Sequence, residues 1–494
     1  MGLRGMKRIE IAAASIFAMA ALGYFAVLLR NNCFIAAGPD SSGYCNEAKL
    51  IASGHATREV RLMRTLGVPP DLIPVFTPLG FLRAPRPFFM SPLYPAGQPL
   101  HQVVFAAIGG WSRAPFLVGP LMALLCVAAM VALGRVAGLP TLYALAGGAI
   151  LAVIPVFVIH AIQTASDDAA TFYAIVPIAI ALGTRRAWPS VVAGLLFAIG
   201  VWVRPTNILL ALPLAMAIRW DRRLVAIAAG AAPVGAVLAW WQKTLYGSPF
   251  HTGYGVITDV LTRTPDCART QLSSLWTMLT PLVVCGALFL FVAKGVPVWH
   301  RILLTTWFGV FFVFYSFYSW CEGWRSSRFL LPAIPAVILA FLFVLRAGVS
   351  HAAMRGHPRV AAAVAVVVVL STIGIMIKTQ ISNGVYETKR IDEVYPESIR
   401  FAEARLPKDA IVASGLLSGA FLYYADRETV RWDEATLPGR LPILRAAAKR
   451  AGLKWYALES TVEARPEQFD AWLPSIWVPV AINRDVTLWR LEER

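Results

Sequence analysis

Acidic side chains are scarce in this chain. Only 28 Asp and Glu stand against 45 Lys and Arg in 494 residues, and charged residues make up 15% of the whole. With 57% hydrophobic residues and a mean hydropathy of +0.62, an ordinary soluble protein of this size is excluded and many membrane spans are required. The six cysteines contain no C-x-x-C pair and no zinc spacing, so neither a dithiol redox motif nor a zinc module is encoded. Internal repeats and low-complexity tracts are absent, which speaks against a repeat-built transporter. The net charge of +17 would suggest nucleic acid in a soluble protein. Here the basic residues cluster in short gaps between apolar runs, as in positive-inside loops, and no nucleic-acid partner is expected.

What the chain does have is a regular series of apolar runs. Arg4, Lys7 and Arg8 precede Ile9–Leu29, which is too long for a signal-peptide core and is read as a retained first span with a cytoplasmic N-terminus. Asn31 to about Ala114 is then a long external loop, Pro-rich in its centre, whose last piece, SPLYPAGQPLHQVVFAAIGG, suits a helix lying in the interface. Further spans are expected at about 115–133, 139–159 and up to Arg185. Arg204-Pro205 then splits one apolar stretch into two short spans. The series continues at about 224–241, up to Lys294, at 302–318, up to Arg346 and at 360–377. The reading is an all-α polytopic membrane protein of about 11 spans over residues 1–378. Every proposed inner loop is basic, its only acids being Glu10 and Asp221, whereas every acidic cluster falls outside.

Residues 379–494 change composition sharply. Strands are expected at Ala410–Ser414, Thr429–Trp432 and Trp455–Glu459, and helices at Gly419–Asp426, Leu441–Ala451 and Pro466–Leu473. Strand pieces then run to Leu491. This alternation predicts a small external α/β domain, without a Gly-rich phosphate loop or metal motif.

The stretch GPDSSGYCNEAKLIASG, Gly38–Gly54, directly follows the first span. It sets a carboxylate, Asp40, at the water–lipid boundary, within reach of a lipid-borne and a water-borne substrate. Asp40-Ser41-Ser42 also fits a helix cap. Asp167 and Asp168 open the fourth span, where one acid suffices as a cap. Successive helical side chains diverge by about 100°, so only one of the two is expected to face a given cavity. Arg204, Arg325 and Arg328 fall at the same outer face and suit an anionic headgroup, although snorkelling to lipid phosphate is an alternative. Trp320 and Trp324 fit an interfacial belt as well as a substrate wall. His55, His101, His160 and His251, with Glu47, offer ligands for a divalent cation, but no spacing favours one. Cys33, Cys45, Cys267 and Cys321 are external, where a disulfide can form, and Cys33–Cys45 is one candidate pair.

Taken together, six stretches in order resemble one family: GPDSSGYCNEAKLIASG, SPLYPAGQPL, TASDDAATFYAIVPIAIAL, GLLFAIGVWVRPTNILLALP, LYGSPFHTGYG and GWRSSRFLLPAIP. The chain is similar to the GT-C membrane glycosyltransferases, especially bacterial relatives of protein O-mannosyltransferases and aminoarabinose transferases. The resemblance implies a polyprenyl-phosphate sugar donor, an extracytoplasmic acceptor and a bacterial inner-membrane location. The family's first-loop acid, a catalytic base or acceptor-positioning group, falls on Asp40, and its second-loop acid on Asp167, the second expected catalytic residue, with Asp168 at a position the family usually fills with something else. Arg328, in the R-F-L-L-P stretch, is expected near the donor phosphate, and Arg204 matches an R-P-T pattern. Tyr44, Glu47, Tyr94, Asp168 and Arg325 complete the expected substrate contacts. Many relatives carry two adjacent acids where this chain has Asp40-Ser41, so the resemblance lends a metal no support. A transporter or lipid-linked sugar flippase, and a non-catalytic glycan-binding subunit, are the rival readings.

Overall fold

The computed structural model describes residues 3–321, 323–463, 476–483 and 486–492. The chain divides into two compact units. One comprises 1–32, 117–238 and 257–387, the other 33–116, 239–256 and 388–494.

The first unit is helical. Each expected apolar run falls on a helix or a bent pair: Leu3–Asn31, Val118–Val136, Thr141–Ala152 with Pro155–Ile162, Asp167–Gly183, Ala187–Val203, Pro205–Leu210 with Ala211–Ala217, Arg223–Tyr246, Ala268–Leu288, Val298–Ser316, Ile334–Met354 and Pro358–Ser382. Among the described residues seven helices are long and apolar enough to cross a membrane, or eight if the bent pair is one span. The chain is an integral membrane protein. The expected third span is not straight: its halves meet at 62°. Pro155 forces the preceding residue, Ile154, into the extended region and removes a helical donor. Pro205 acts in the same way on Arg204, which ends its helix at φ −147°, ψ 113°. Trp307 is fully buried in this unit's core and donates its indole N–H to the Pro332 carbonyl at 3.0 Å. That bond anchors the far end of the 3-10 segment Trp324–Ala333.

The second unit joins the first loop to the tail. Val60, Met63, Phe76 and Met90 share one apolar core with Ile411, Val430, Leu444 and Trp455. Its sheets are β1 (Arg58–Glu59), β2 (Phe81–Arg83) and β3 (Phe89–Pro92) in the order β1-β3-β2, all antiparallel, and a four-stranded sheet. In the latter, β4 (Ala410–Ala413) lies parallel to β5 (Lys454–Ser460). There β7 (Val486–Glu492) runs antiparallel between β5 and β6 (Ile476–Asn483). The parallel pair needs a long crossover, supplied by helices Ser418–Ala425 and Arg440–Arg450. Two corrections follow. The three-stranded sheet in the first loop was not expected. Thr429–Trp432 is no strand either: it makes a single bridge, Ala413–Val430, and turns into the helix Trp432–Ala435. The expected helix Pro466–Leu473 lies outside the described residues. The helix Gly97–Gly109 buries Gln98, Gln102 and Ala106 and exposes Val104 and Ile108, an amphipathic face suited to an interface.

Salt bridges tie the first loop to the tail within this unit. Arg58 and Arg61 pair with Asp426, and Arg61 with Glu428. Deeper in, the Glu463 carboxylate accepts from Ser414 Oγ, the Gly415 and Leu417 amides and the Trp432 indole, all within 3.1 Å. Glu463→Ala strands these buried donors, so it is expected to lower stability by about 2–4 kcal/mol. Chemical unfolding of the detergent-solubilised protein checks this.

Candidate active site

In the loop–tail unit, helix Gly38–Ala52 begins with Gly38 at φ +58° and Pro39 in its first turn. Asp40 sits in that turn, where the helix dipole favours an anion. Residues 40, 43, 44 and 47 recur at helical spacing and form one stripe. Tyr94 lies against it. Its hydroxyl donates to Asp40 Oδ1 at 2.7 Å, and its ring is 4.8 Å from that of Tyr44. The approach works because residue 43 is glycine: a Cβ there would come within 2.4 Å of the Tyr94 ring and 3.0 Å of the Gly80 Cα. Tyr254 packs edge-on to Tyr94 at 6.3 Å, and its loop is seated by Gly253, whose Cβ position is 1.9 Å from the Leu93 carbonyl. Half-buried Asp40 therefore stands in a tyrosine-walled setting. Burial, then the Asp40 charge, push the Tyr94 hydroxyl's pKa far up, so it remains a proton donor to that carboxylate.

The helix is held from behind by the tail. Asn46 donates to the Gly419 carbonyl at 2.8 Å, and Leu79 N–H to Ser418 Oγ at 3.1 Å. Glu47 ends the stripe. It is fully buried, neither carboxyl oxygen has a hydrogen-bond partner among the described residues, and burial raises its pKa well above the ordinary value.

The helical unit holds the other expected residues. Asp167 begins the helix Asp167–Gly183, and Arg204 caps the C-terminus of Ala187–Val203. Each charge opposes the dipole end it occupies. Arg204 Nη2 donates to Asp167 Oδ1 at 2.7 Å, and His160 Nδ1 is 3.9 Å from Oδ2. Arg204 also donates to the Arg328 carbonyl at 3.4 Å, which ties the pair to the segment Trp324–Ala333. The Arg328 guanidinium lies 5.1 Å from the Phe329 ring centre and 5.8 Å from that of Trp320, and Arg204 lies 5.7 Å from Phe329. Two guanidinium groups thus share one aromatic floor beside a buried carboxylate, an arrangement suited to an oxyanion.

Several expected residues stand apart. Arg325 is exposed and rests on Trp324 at 5.6 Å. Asp168 diverges from Asp167 as helix geometry requires. Among the described residues its buried carboxyl oxygens have no hydrogen-bond partner, and its electrostatic neighbours include Asp167, Arg204, Tyr24 and Cys126. No three His, Cys, Asp or Glu side chains converge on a metal position among the described residues, so no step is derived through a cation. The Cys33–Cys45 pairing is wrong. Neither is disulfide-bonded and both are buried, Cys33 in the core with Tyr395 and Ile399 and Cys45 in a separate one with Phe116. The disulfide is Cys267–Cys321. The sequence reading missed Tyr254 as part of the Asp40 surroundings and His160 as a partner of Asp167. The first stood within the quoted LYGSPFHTGYG, but only folding places it beside Tyr94.

No family model and no curated protein matches the chain. Solved structures do. ArnT from Cupriavidus metallidurans, bound to undecaprenyl phosphate, superposes with a TM-score of 0.60 at 14% identity, covering 97% of this chain and 98% of that one. The Archaeoglobus fulgidus oligosaccharyltransferase in its apo form gives 0.61 at 12% identity, covering 90% of this chain and 69% of that one. The same enzyme, AglB, in complex with an inhibitory peptide and a dolichol-phosphate gives 0.56 at 11% identity, with the same coverage. All are membrane glycosyltransferases of the GT-C fold.

Glu47 yields a pH test. Its folded pKa lies above the unfolded value of about 4.3, so its contribution to stability is complete below that pH and is lost as pH rises toward the folded value. Glu47→Gln is expected to remove this loss. The variant should gain on the wild type by up to about 1.4 kcal/mol per pH unit above pH 4.3. Unfolding curves of both proteins between pH 4.5 and 8 check the difference.

Proposed function

This chain has the fold of the GT-C membrane glycosyltransferases, and we propose that it is an inverting glycosyltransferase. It moves a sugar from a polyprenyl-phosphate donor to a hydroxyl on an extracytoplasmic lipid, glycan or protein. Asp40 is the base and Tyr94 orients it. Tyr44 lines the acceptor side. Arg204 and Arg328, with Asp167 holding Arg204, receive the donor phosphate. Arg325 is assigned to the lipid headgroup approach. Glu47 and Asp168, both fully buried, are kept as part of the substrate setting.

In the reaction the acceptor oxygen attacks the anomeric carbon and the bond from that carbon to the phosphate oxygen breaks. Asp40 takes the acceptor proton as a positioned general base. The leaving polyprenyl phosphate gains a negative charge, which the two guanidinium groups stabilise as it grows. A phosphate is a good leaving group, so no acid is required to protonate it. One displacement inverts the anomeric centre.

The observation that carries the reading is Asp40, held by the Tyr94 hydroxyl on a glycine-seated helix. The arginine pair of the helical unit supports it. The topology reading has two supports. The first loop and the tail fold into one compact unit and so share one side of the membrane, as two external segments must. The Cys267–Cys321 disulfide calls for an oxidising compartment at its end of the helices, which suits a periplasm. The N-terminus is then cytoplasmic, and the bacterial inner membrane is the location that fits.

The test is transfer from a panel of radiolabelled polyprenyl-phosphate sugars in membranes. Asp40→Asn is expected to lower kcat by about 10²–10⁴-fold with normal protein levels and an unchanged donor KM. Arg328→Ala should instead raise donor KM by about 10–100-fold. No transfer by the wild type from any donor, with acceptors present, would overturn the reading.

A further inference from the structure

The segment that carries Arg325 and Arg328 is fastened unequally along its length. Its far end is held by the Trp307 indole on the Pro332 carbonyl. Its middle is held by Phe329, whose ring stacks on Tyr315 at 5.1 Å and meets Tyr318 at 5.2 Å. Its near end starts at Gly323, with φ +53°, where Ser274 Oγ donates to the Gly323 carbonyl at 3.3 Å, Gln271 Nε2 to the Ser326 carbonyl at 3.4 Å and Ser327 Oγ to the Trp324 carbonyl at 2.7 Å.

Just before that end, two loops are zipped together by backbone hydrogen bonds. Thr262 N–H reaches the Phe317 carbonyl at 2.7 Å, Ser319 N–H the Val260 carbonyl at 2.8 Å, and Cys267 N–H the Ser316 carbonyl at 3.1 Å. The zipper stops at Ser319. Between the zipper and the arginine segment stands the disulfide from Cys267, at the start of the helix Ala268–Leu288, to Cys321.

Cys267 is buried, whereas Cys321 is only half-buried, so a thiolate from outside meets the Cys321 sulfur first. Cys267 Sγ already lies 2.9 Å from the Tyr318 carbonyl. Once reduced, its thiol has an acceptor in place, and the reduced form is accommodated without rebuilding the helix start.

We propose that Cys267–Cys321 is a redox-controlled positioning link for the donor-phosphate site, tight when oxidised and weakened when reduced. The inference rests on the donor reading of Arg204 and Arg328. The step balances with a dithiol as reductant. Its thiolate attacks Cys321 Sγ, the S–S bond breaks, and the electron pair leaves on Cys267 Sγ, which takes up a proton. The dithiol's second thiol then resolves the mixed disulfide, freeing Cys321 as a thiol and leaving the reductant as a disulfide. Two electrons and two protons pass to the protein. With its near end released, the segment places Arg328 less well, and binding energy is lost without loss of the fold.

The test uses the full chain in detergent with undecaprenyl phosphate as the probe. Binding is measured on oxidised protein, on protein reduced with dithiothreitol, on reoxidised protein, and on the double variant Cys267→Ser/Cys321→Ser. Thiol alkylation counts the cysteines, and unfolding temperature reports the fold. Reduction is expected to expose two further thiols and weaken binding about tenfold, with recovery on reoxidation. The double variant should bind at the reduced level whatever the redox treatment. In the transfer assay, donor KM should rise with kcat little changed, a split that general destabilisation does not produce. Equal binding by oxidised and reduced wild type, whatever the unfolding temperature does, overturns the switch and leaves the donor reading standing. Failure of both forms to bind undecaprenyl phosphate overturns the donor reading, and the switch with it.

Discussion

The helical unit depends on one buried ion pair, Asp167 with Arg204. Two ionised side chains buried at the ends of spans persist when they meet each other and the ends of helices that favour them, as these do. The pair has structural reach. Arg204 can sit where it does only because Pro205 ends its helix, and the same guanidinium holds the backbone of Arg328. A deletion of either charge would leave the other buried without its nearest counter-charge, which is the expensive case. The position of the arginine segment therefore depends on an aspartate more than a hundred residues earlier in the chain.

In the loop–tail unit the governing constraint is steric. Helix Gly38–Ala52 can bring Asp40 to Tyr94 only because Gly43 and Gly80 have no side chains between them. The tail supplies the opposite wall through Gly419, whose Cβ position is 2.2 Å from Ser42 Oγ. Glu47 then raises an electrostatic question. It lies seven residues, or about 10.5 Å of helix rise, from Asp40 on the same stripe. Two ionised carboxylates at that distance would repel by about 1.6 kcal/mol at an effective dielectric of 20. Burial without a hydrogen-bond partner among the described residues raises the Glu47 pKa, which weakens that repulsion.

Much of this was legible in the sequence because the signals are local. Apolar runs, basic gaps and the Arg204-Pro205 break are written in consecutive residues, and each reappears as a helix or a helix end. The divergence of Asp167 from Asp168 follows from the turn of a helix alone. What failed was long-range. β1 has two residues and exists through its partner β3, so no alternation could have announced it. Thr429–Trp432 has strand-like residues, but its pairing among the described residues is the single bridge from Val430 to Ala413. Cys33 and Cys45 are close in sequence, yet a helix starts between them and carries their side chains into different cores. Cys267 and Cys321, 54 residues apart, gave no such cue. Tyr254 was hidden for the same reason, since the seat of its loop on Leu93 is a tertiary fact.

The charge balance of the helical site bears on why the proposed reaction would run forward. Arg204 and Arg328 contribute two positive charges and Asp167 one negative, leaving one positive charge beside the aromatic floor. A polyprenyl-phosphate sugar is a phosphodiester with one negative charge, which this site matches. As the anomeric bond breaks, the phosphate moves toward a dianion. The attraction is then stronger in the transition state than in the bound donor, which is the condition for an interaction to raise the rate and not merely the affinity. In the proposed reaction Asp167 moderates that difference. Without it the site would carry two net positive charges and would hold the released phosphate more tightly, slowing its departure. A carboxylate that neutralises one of two arginines would then tune the proposed site between binding the donor and letting the product go.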